Sequence, residues 1–447
     1  HDEILPGEIP SYFNPVASYV KYFTIPENMT GRRLFISFQG AESGLAVWLN
    51  GHFIGYSEDS FTPSEFELTG HTADGENKLA VQVFKWTSSS WCEDQDFYRF
   101  SGIYRDVYLY TVPDLHVRDL MIQAIPDPTL QNASLDIRLL MMADTDMIEG
   151  KAIFCLSLDG RKVFEDEKEL SAETSYHRNI EHPALWSAEI PALYDLTIEI
   201  FDAGGALMEI IPEKVGFRRF ELKDRIMTLN GQRIVFKGVN RHEFSSVNGR
   251  RVSEAELRKD LETMKQNNIN AIRTCHYPDD SLIYRLCDEY GFYLIDENNL
   301  ESHGSWDIAE ETGDTSNVVP NDRPEWLDMM LDRVNSIYQR DKNHPAILIW
   351  SCGNESYGGR DIYEMSELFR KLDPTRLVHY EGIFHDRRYN DTSDMESQMY
   401  TSVNGIKAFL SENRSKPFIC CEYTDAIGNS CWAMNKYTYL TYTDPLY

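Results

Sequence analysis

At 447 residues the chain exceeds what one ordinary hydrophobic core organises, so its length predicts roughly two to four domains. A hydrophobic share of 42% with 12% aromatic residues fits well-buried globular domains and excludes a disordered polymer. With 72 acidic against 43 basic residues the formal charge is −29, which repels nucleic acid and anionic membranes, and no apolar run approaches the roughly 18 residues of a membrane span.

The opening stretch, His1 to Pro15, has neither the basic segment nor the apolar segment of a secretory leader, and no Met begins it. Eight cysteines (Cys92, Cys155, Cys275, Cys287, Cys352, Cys420, Cys421 and Cys431) form no Cys-x-x-Cys pair and are too sparse for a disulfide scaffold. Several lie in apolar runs, where a reduced thiol behaves as a small hydrophobe. A cytoplasmic location is expected on these grounds.

Residues 1–112 read as β structure. Arg33 to Phe38 and Leu79 to Phe84 are strand-like runs, and Asn50-Gly51 and Asp74-Gly75 are turn signals between such runs. Short strands at this spacing predict a sandwich. Val112-Pro113-Asp114 is a linker, and residues 113–217 form a second β-rich stretch whose length suits an immunoglobulin-like sandwich, although its usual Cys-Trp-Cys core is missing.

The pattern changes in residues 218–447 to alternating strands and helices. Ile234 to Val239 reads as a strand, Ser253 and Glu256 as a capping box ahead of Leu257, Leu261 and Met264, and Ala271 to Thr274 as the next strand. A helix over Ser281 to Tyr290 stops at Gly291. Phe292 to Asp296, Ile347 to Ser351, Val378 to Tyr380, Met395 to Tyr400 and Phe418 to Cys421 supply five more strands. Seven strands in this alternation predict a (β/α)8 TIM barrel that stops before its eighth strand. The alternative, a doubly wound open sheet, lacks the Gly-rich phosphate loop after its first strand.

Polar and ionisable residues collect immediately after these strands: Asn240 to Glu243, Cys275 to Pro278, Asp296 to Gly304, Ser351 to Glu355, and Glu422-Tyr423. In a barrel all of these meet at the C-terminal mouth. Two carboxylates there can flank a glycosidic bond, one attacking the anomeric carbon and one protonating the leaving oxygen, at a separation of roughly 5 Å for a retaining reaction. Glu355 and Glu422 are the candidates, and Asn354 is an amide beside the first. The sequon Asn354-Glu355-Ser356 falls within this site, which argues against a glycosylated route.

These segments carry a resemblance. Glu93 to Asp96 with Ser101 to Val107, Gly238 to Glu243, Arg273 to Pro278, Asp296 to Gly304, Trp350 to Glu355, and Cys421 to Tyr423 with Gly428 to Ser430 are similar, in order, to glycoside hydrolase family 2 and within it to the large bacterial β-galactosidases. The resemblance implies a jelly-roll-like sugar-binding domain, an immunoglobulin-like domain and a catalytic barrel. It implies retaining, exo-acting hydrolysis of terminal β-galactosides such as lactose, with Glu355 as acid/base and Glu422 as nucleophile. Asn354 would bind the hydroxyl next to the anomeric carbon, Tyr400 would hydrogen-bond the nucleophile, and Arg273 would favour its charged form. His242 and His276 would contact the sugar, Asp96 would touch both sugar and a sodium ion, and Asn14 would be a further early-domain contact.

Glu301, His303 and Glu355 resemble the family's Mg²⁺ site, although a histidine ligand leaves Mn²⁺ or Zn²⁺ open on chemistry alone. Glu301 and His303, two apart on an extended loop, would point the same way. One departure stands out: three residues after the nucleophile the galactosidases have a His that holds the outer hydroxymethyl group, and this chain has Asp425. The expected partners are the sugar substrate, a second copy of the chain, or a chain or segment completing the barrel. The alternatives are a family-2 β-glucuronidase or β-mannosidase, and a non-catalytic carbohydrate-binding or assembly fragment.

Overall fold

The computed structural model describes residues 5–144, 147–424 and 433–447. Asp425 and the Gly428 to Ser430 segment lie outside the described residues.

The first β region pairs Val16–Thr24, Glu76–Phe84, Gly44–Leu49 and His52–Ser57 in one antiparallel sheet. A second sheet holds Ser64–Glu67, Arg33–Phe38 and Val107–Val112. Leu34, Ile36, Phe38, Leu45, Val47, Val81 and Val83 share one buried cluster. Asn50 and Gly51 both have positive φ, 52° and 86°, the handedness that a tight hairpin between twisted strands requires.

The second region is a sandwich of three strands against four. Leu115–Pro126, Asn132–Ala143 and Glu173–Glu181 form one sheet, and Arg161–Glu169, Gly150–Leu158, Tyr194–Asp202 and Leu207–Val215 the other. Along Asn132–Ala143 the residues Ala133, Leu135, Ile137, Leu139 and Met141 point inward and are buried. In place of a disulfide core, Phe154 and Tyr176 stack with ring centroids 4.3 Å apart.

Among the described residues the third region supplies seven parallel strands with intervening helices: β1 Gly238–Arg241, β2 Ala271–Thr274, β3 Tyr293–Glu297, β4 Ile347–Ser351, β5 Leu377–His379, β6 Glu396–Met399 and β7 Phe418–Glu422. Strands β1 to β5 form one parallel sheet and β6 pairs with β7. The strands β3 and β4 are buried at every position, as a sheet covered on both faces requires. The helix α1, Glu254–Gln266, begins at the capping box: Ser253 Oγ accepts from Glu256 N.

Two readings need correcting. The first barrel strand lies at Gly238–Arg241 and not at Ile234 to Val239. Before it the side chain of Asn270 replaces a neighbouring strand: its Nδ2 donates to Val235 O and its Oδ1 accepts from Lys237 N. His303 sits on no extended loop but opens the helix α3, His303–Thr312; Glu301, just before it, is held extended by a bridge to Glu93.

Among the described residues the outer edges of β1 and β7 are not paired with each other. Asn240 Nδ2 reaches across to Cys421 O at 3.1 Å. Below that contact lies a cavity of about 570 Å³, lined by Phe236, Val239, Phe418, Ile419, Tyr437 and Leu446. The other two regions seat directly on the barrel: Glu93 Oε1 accepts from Asn299 Nδ2 and Arg333 Nη2, and Trp186 Nε1 donates to Asp288 O. Among the described residues no helix is long and apolar enough to cross a membrane.

Candidate active site

The hub of the barrel mouth is Arg273, at 3% exposure. It is the penultimate residue of β2, where a guanidinium can fork to three strand ends at once. Its Nε donates to Glu297 Oε2 at 2.7 Å, its Nη1 to Glu422 Oε1 at 2.8 Å and its Nη2 to Asn354 Oδ1 at 2.9 Å. A fixed planar fork suits three acceptors in a way that an ammonium does not.

Glu422, last residue of β7, has both oxygens engaged. Arg273 binds Oε1, and Tyr400 Oη donates to Oε2 at 2.7 Å. Tyr400 itself has φ 52° and donates its N–H to Glu422 O, so β6 and β7 fix the pair together. His276 Nε2 stands 3.6 Å from Glu422 Oε1, while its Nδ1 lies 2.7 Å from Glu297 Oε1. Glu297 is wholly buried; burial alone would raise its carboxyl, but Arg273 and His276 outweigh it and bring it to about 2.

The second carboxylate follows β4. Gly353 has φ 141°, and a Cβ there would meet Leu300 Cβ and O at 2.7 Å, so the backbone passes where only glycine fits. The turn that follows presents Asn354 and Glu355, the latter at φ 24°, a strained value for a side-chain-bearing residue. Trp306 Nε1 donates to Glu355 O at 2.6 Å. Glu355 Oε2 lies 2.6 Å from His303 Nδ1. Burial pushes this carboxyl up, and the His303 contact, with help from His276 and Arg273, takes it below its ordinary value.

Glu301, His303 and Glu355 each offer a ligand atom within 4.8 Å of the others. Glu301 is 0% exposed; Asn354 Nδ2 donates to its Oε2, and its Oε1 is buried without a protein partner. Burial foremost raises this carboxyl to about 7. The hydrogen bond that His303 donates to Glu355 leads the effects that raise His303 to about 9. Two carboxylates, an imidazole and an orphaned buried oxygen are what a divalent cation would satisfy.

The remaining sequence candidates divide. His242 closes against the site: its Nδ1 is 3.1 Å from Tyr277 Oη and its ring packs edge-on to His276 at 5.5 Å. Burial, then His276, lowers it to about 3, so it is a neutral imidazole at ordinary pH. Asp96 is exposed on a first-region segment whose neighbours enter the mouth, Gln95 donating to His276 O and to Asn299 Oδ1. The amide of Asn14 exchanges two hydrogen bonds with the backbone of Trp86 in the first region.

Four functional-site neighbours escaped the sequence reading. Glu297 and Glu381 both follow barrel strands and share the phase that singled out Glu422, which was the available signal. Trp306 sits one turn past His303 on a helix that the sequence reading did not place, and Glu93, within a segment already noted, reaches the site from the first region.

Comparison with known proteins agrees with this geometry. The model for the TIM barrel domain of glycosyl hydrolases family 2 matches residues 220–447, the family's sugar binding domain matches 4–113, and a third family 2 domain matches 115–218. This chain belongs to glycosyl hydrolases family 2. The resemblance read from the motifs is therefore borne out, as is the three-domain plan of sugar-binding domain, immunoglobulin-like sandwich and TIM barrel.

Among relatives of this family 2 chain, a "Beta-galactosidase" of Halalkalibacterium halodurans is 52% identical over 448 residues, covering 100% of this chain and 44% of that protein. One of Clostridium acetobutylicum is 50% identical, covering 98% and 49%. A "Beta-galactosidase large subunit" of Leuconostoc lactis is 44% identical and covers 100% and 71%. The family 2 chain thus spans less than half the length of the first two. A solved β-glucuronidase of Bifidobacterium dentium superposes with a TM-score of 0.79 at 24% identity, covering 92% of this chain and 75% of that one. At that identity the match reports the shared fold.

Proposed function

We propose that the chain carries the catalytic front of a retaining, exo-acting β-galactosidase. The observation that carries this reading is the cradle of Glu422, whose two oxygens are fixed by Arg273 and Tyr400 at the end of β7. Such a carboxylate is aimed and cannot rotate away, which a nucleophile at an anomeric carbon requires. Glu355 is the acid/base. His303 holds its carboxyl low, so the acid role requires that contact to give way when substrate enters. Asn354, fixed by Arg273 and Glu301, presents its amide to the hydroxyl beside the reacting carbon. His276 and His242 line the sugar, with Asp96 reaching in from the first region; Asn14 belongs to that region's own scaffold. The galactosidase names of relatives at 41–52% identity support the choice of sugar.

Glu301, His303 and Glu355 would hold a divalent cation, Mg²⁺ by family resemblance. When bound it would fix the acid/base carboxylate and offset the charge that collects there. Asp96 would supply one ligand to a sodium ion. A cytoplasmic location is retained, supported by free, buried Cys92, Cys275, Cys287 and Cys352. The cleft between β1 and β7, with facing unpaired edges and an apolar lining, would receive an eighth strand from further polypeptide or a partner chain. A relative named as a large subunit fits the second source.

The test is hydrolysis of aryl β-galactoside, β-glucuronide and β-mannoside with and without a chelator, by this chain alone and joined to a barrel-completing segment. Galactoside turnover, weakened by the chelator and abolished by Glu422→Gln, is the expected result. Full activity in Glu422→Gln would overturn the mechanism; preference for the glucuronide would overturn the substrate.

A further inference from the structure

We propose that His242, Cys275 and His276 form a site for a thiophilic divalent cation of the zinc class, set into the wall of the barrel mouth and opposed in effect to the Glu301 site. One ligand atom from each of the three lies within 4.8 Å of the others, so small side-chain rotations bring them to the roughly 3.3–3.8 Å separation that bonds of about 2.0–2.3 Å set around a tetrahedral ion.

The two imidazoles are already oriented as ligands. His276 has its Nδ1 on Glu297 Oε1 at 2.7 Å, which leaves Nε2 as the outward atom. A carboxylate behind the ring is the support that metal-binding histidines characteristically have. His242 is fixed in the same way by Tyr277 Oη on Nδ1 and by stacking on Phe97, with centroids 4.7 Å apart. Both rings therefore have one nitrogen engaged and the other available.

Cys275, 2% exposed, adds a soft donor to the pair. Imidazole with thiolate selects zinc or cadmium and rejects magnesium and calcium, which require oxygen. On binding, the sulfur–metal bond replaces the S–H bond and the proton leaves to solvent; nothing is oxidised or reduced. The fourth position faces Glu422, whose Oε1 is 3.6 Å from His276 Nε2. An ion held here ties up the nucleophile and the sugar-facing histidines together. The ligand set does not depend on the galactosidase reading, but the inhibitory consequence rests on it.

The experiment titrates cadmium into the full chain in magnesium-containing buffer, so that oxygen-rich sites are already filled. A thiolate-to-cadmium ultraviolet band should rise and saturate at about one ion per chain. Cys275→Ser should lose the band. Since that change disturbs a buried strand end, His242→Asn is measured beside it: it should keep its melting temperature and the thiol, yet bind at least about tenfold more weakly. A band of equal size in Cys275→Ser would place the ion on another thiol and overturn the proposal, as would unchanged affinity in His242→Asn. Because the band is read without substrate, failure of the galactosidase reading leaves this result standing.

Discussion

Replacing Arg273 by Met removes a buried guanidinium that binds Glu297, Glu422 and Asn354 within 2.9 Å. Two carboxylates then lose their cation inside the barrel. Breaking a buried ion pair costs about 3–5 kcal/mol, and three charge-assisted hydrogen bonds lost together are not additive, so the same range is expected here at pH 7. The pH dependence is the sharper test. In the native chain Glu297 sits at about 2, below its ordinary 4.5, so it contributes stability that is present above 4.5 and lost as pH falls through 2. Without Arg273 the leading influence on Glu297 is burial, which lifts the carboxyl above 4.5 and turns the contribution into a cost at neutral pH. The penalty of Arg273→Met should therefore shrink as pH falls from 7 to 5, by at most about 1.4 kcal/mol per pH unit. Urea unfolding of both proteins at the two pH values measures it, with Arg273→Lys as the charged control expected to fall between them. A penalty under about 1 kcal/mol, or one equal at both pH values, would refute the account of Arg273 as the electrostatic hub.

Tyr400→Phe removes the hydrogen bond to Glu422 Oε2, and on the proposed mechanism kcat should fall about 10- to 100-fold with little change in melting temperature. Gly353→Ala must place a Cβ 2.7 Å from Leu300 at a φ of 141°; a loss of several degrees in melting temperature together with activity is expected, and a neutral result would mean the turn relaxes freely. Burial raises Glu381 to about 8, so its ionisation costs stability as pH climbs from 4.5 through 8, and Glu381→Gln should gain stability relative to the native chain over that interval. Parallel melting curves at pH 5 and pH 8.5 check this; a pH-independent difference would show the carboxyl to be paired.

The parts of the site that were legible from sequence lie at the ends of fully buried strands. Ile347–Ser351 and Phe418–Glu422 are apolar runs ended or soon followed by a carboxylate, and that phase together with the family resemblance located Glu355 and Glu422. The Arg273–Glu297 pairing was not legible, because it depends on parallel register, Arg273 lying beside Ile295 in the neighbouring strand. The helix α3 escaped because His303–Thr312 has Gly304 in its first turn and no regular apolar stripe, and the outside contact of Gly304 N is the carboxylate of Asp94. The first barrel strand was misplaced because an amide side chain, Asn270, stands in for the ladder.

The bridge between residues 92–94 and Glu301 has a consequence for assembly. Cys92 O accepts from Glu301 N, Asp94 N donates to Glu301 O, and Glu93 Oε1 binds Asn299 and Arg333 in the interior. The loop that carries a candidate cation ligand is shaped by a segment lying about two hundred residues earlier in the chain, in a domain that a ribosome releases first. That earlier domain serves as a template, and a barrel made without it would have its strands in order and its third loop unformed. Any chemistry at the barrel mouth is thereby made conditional on the amino-terminal domain having folded and docked.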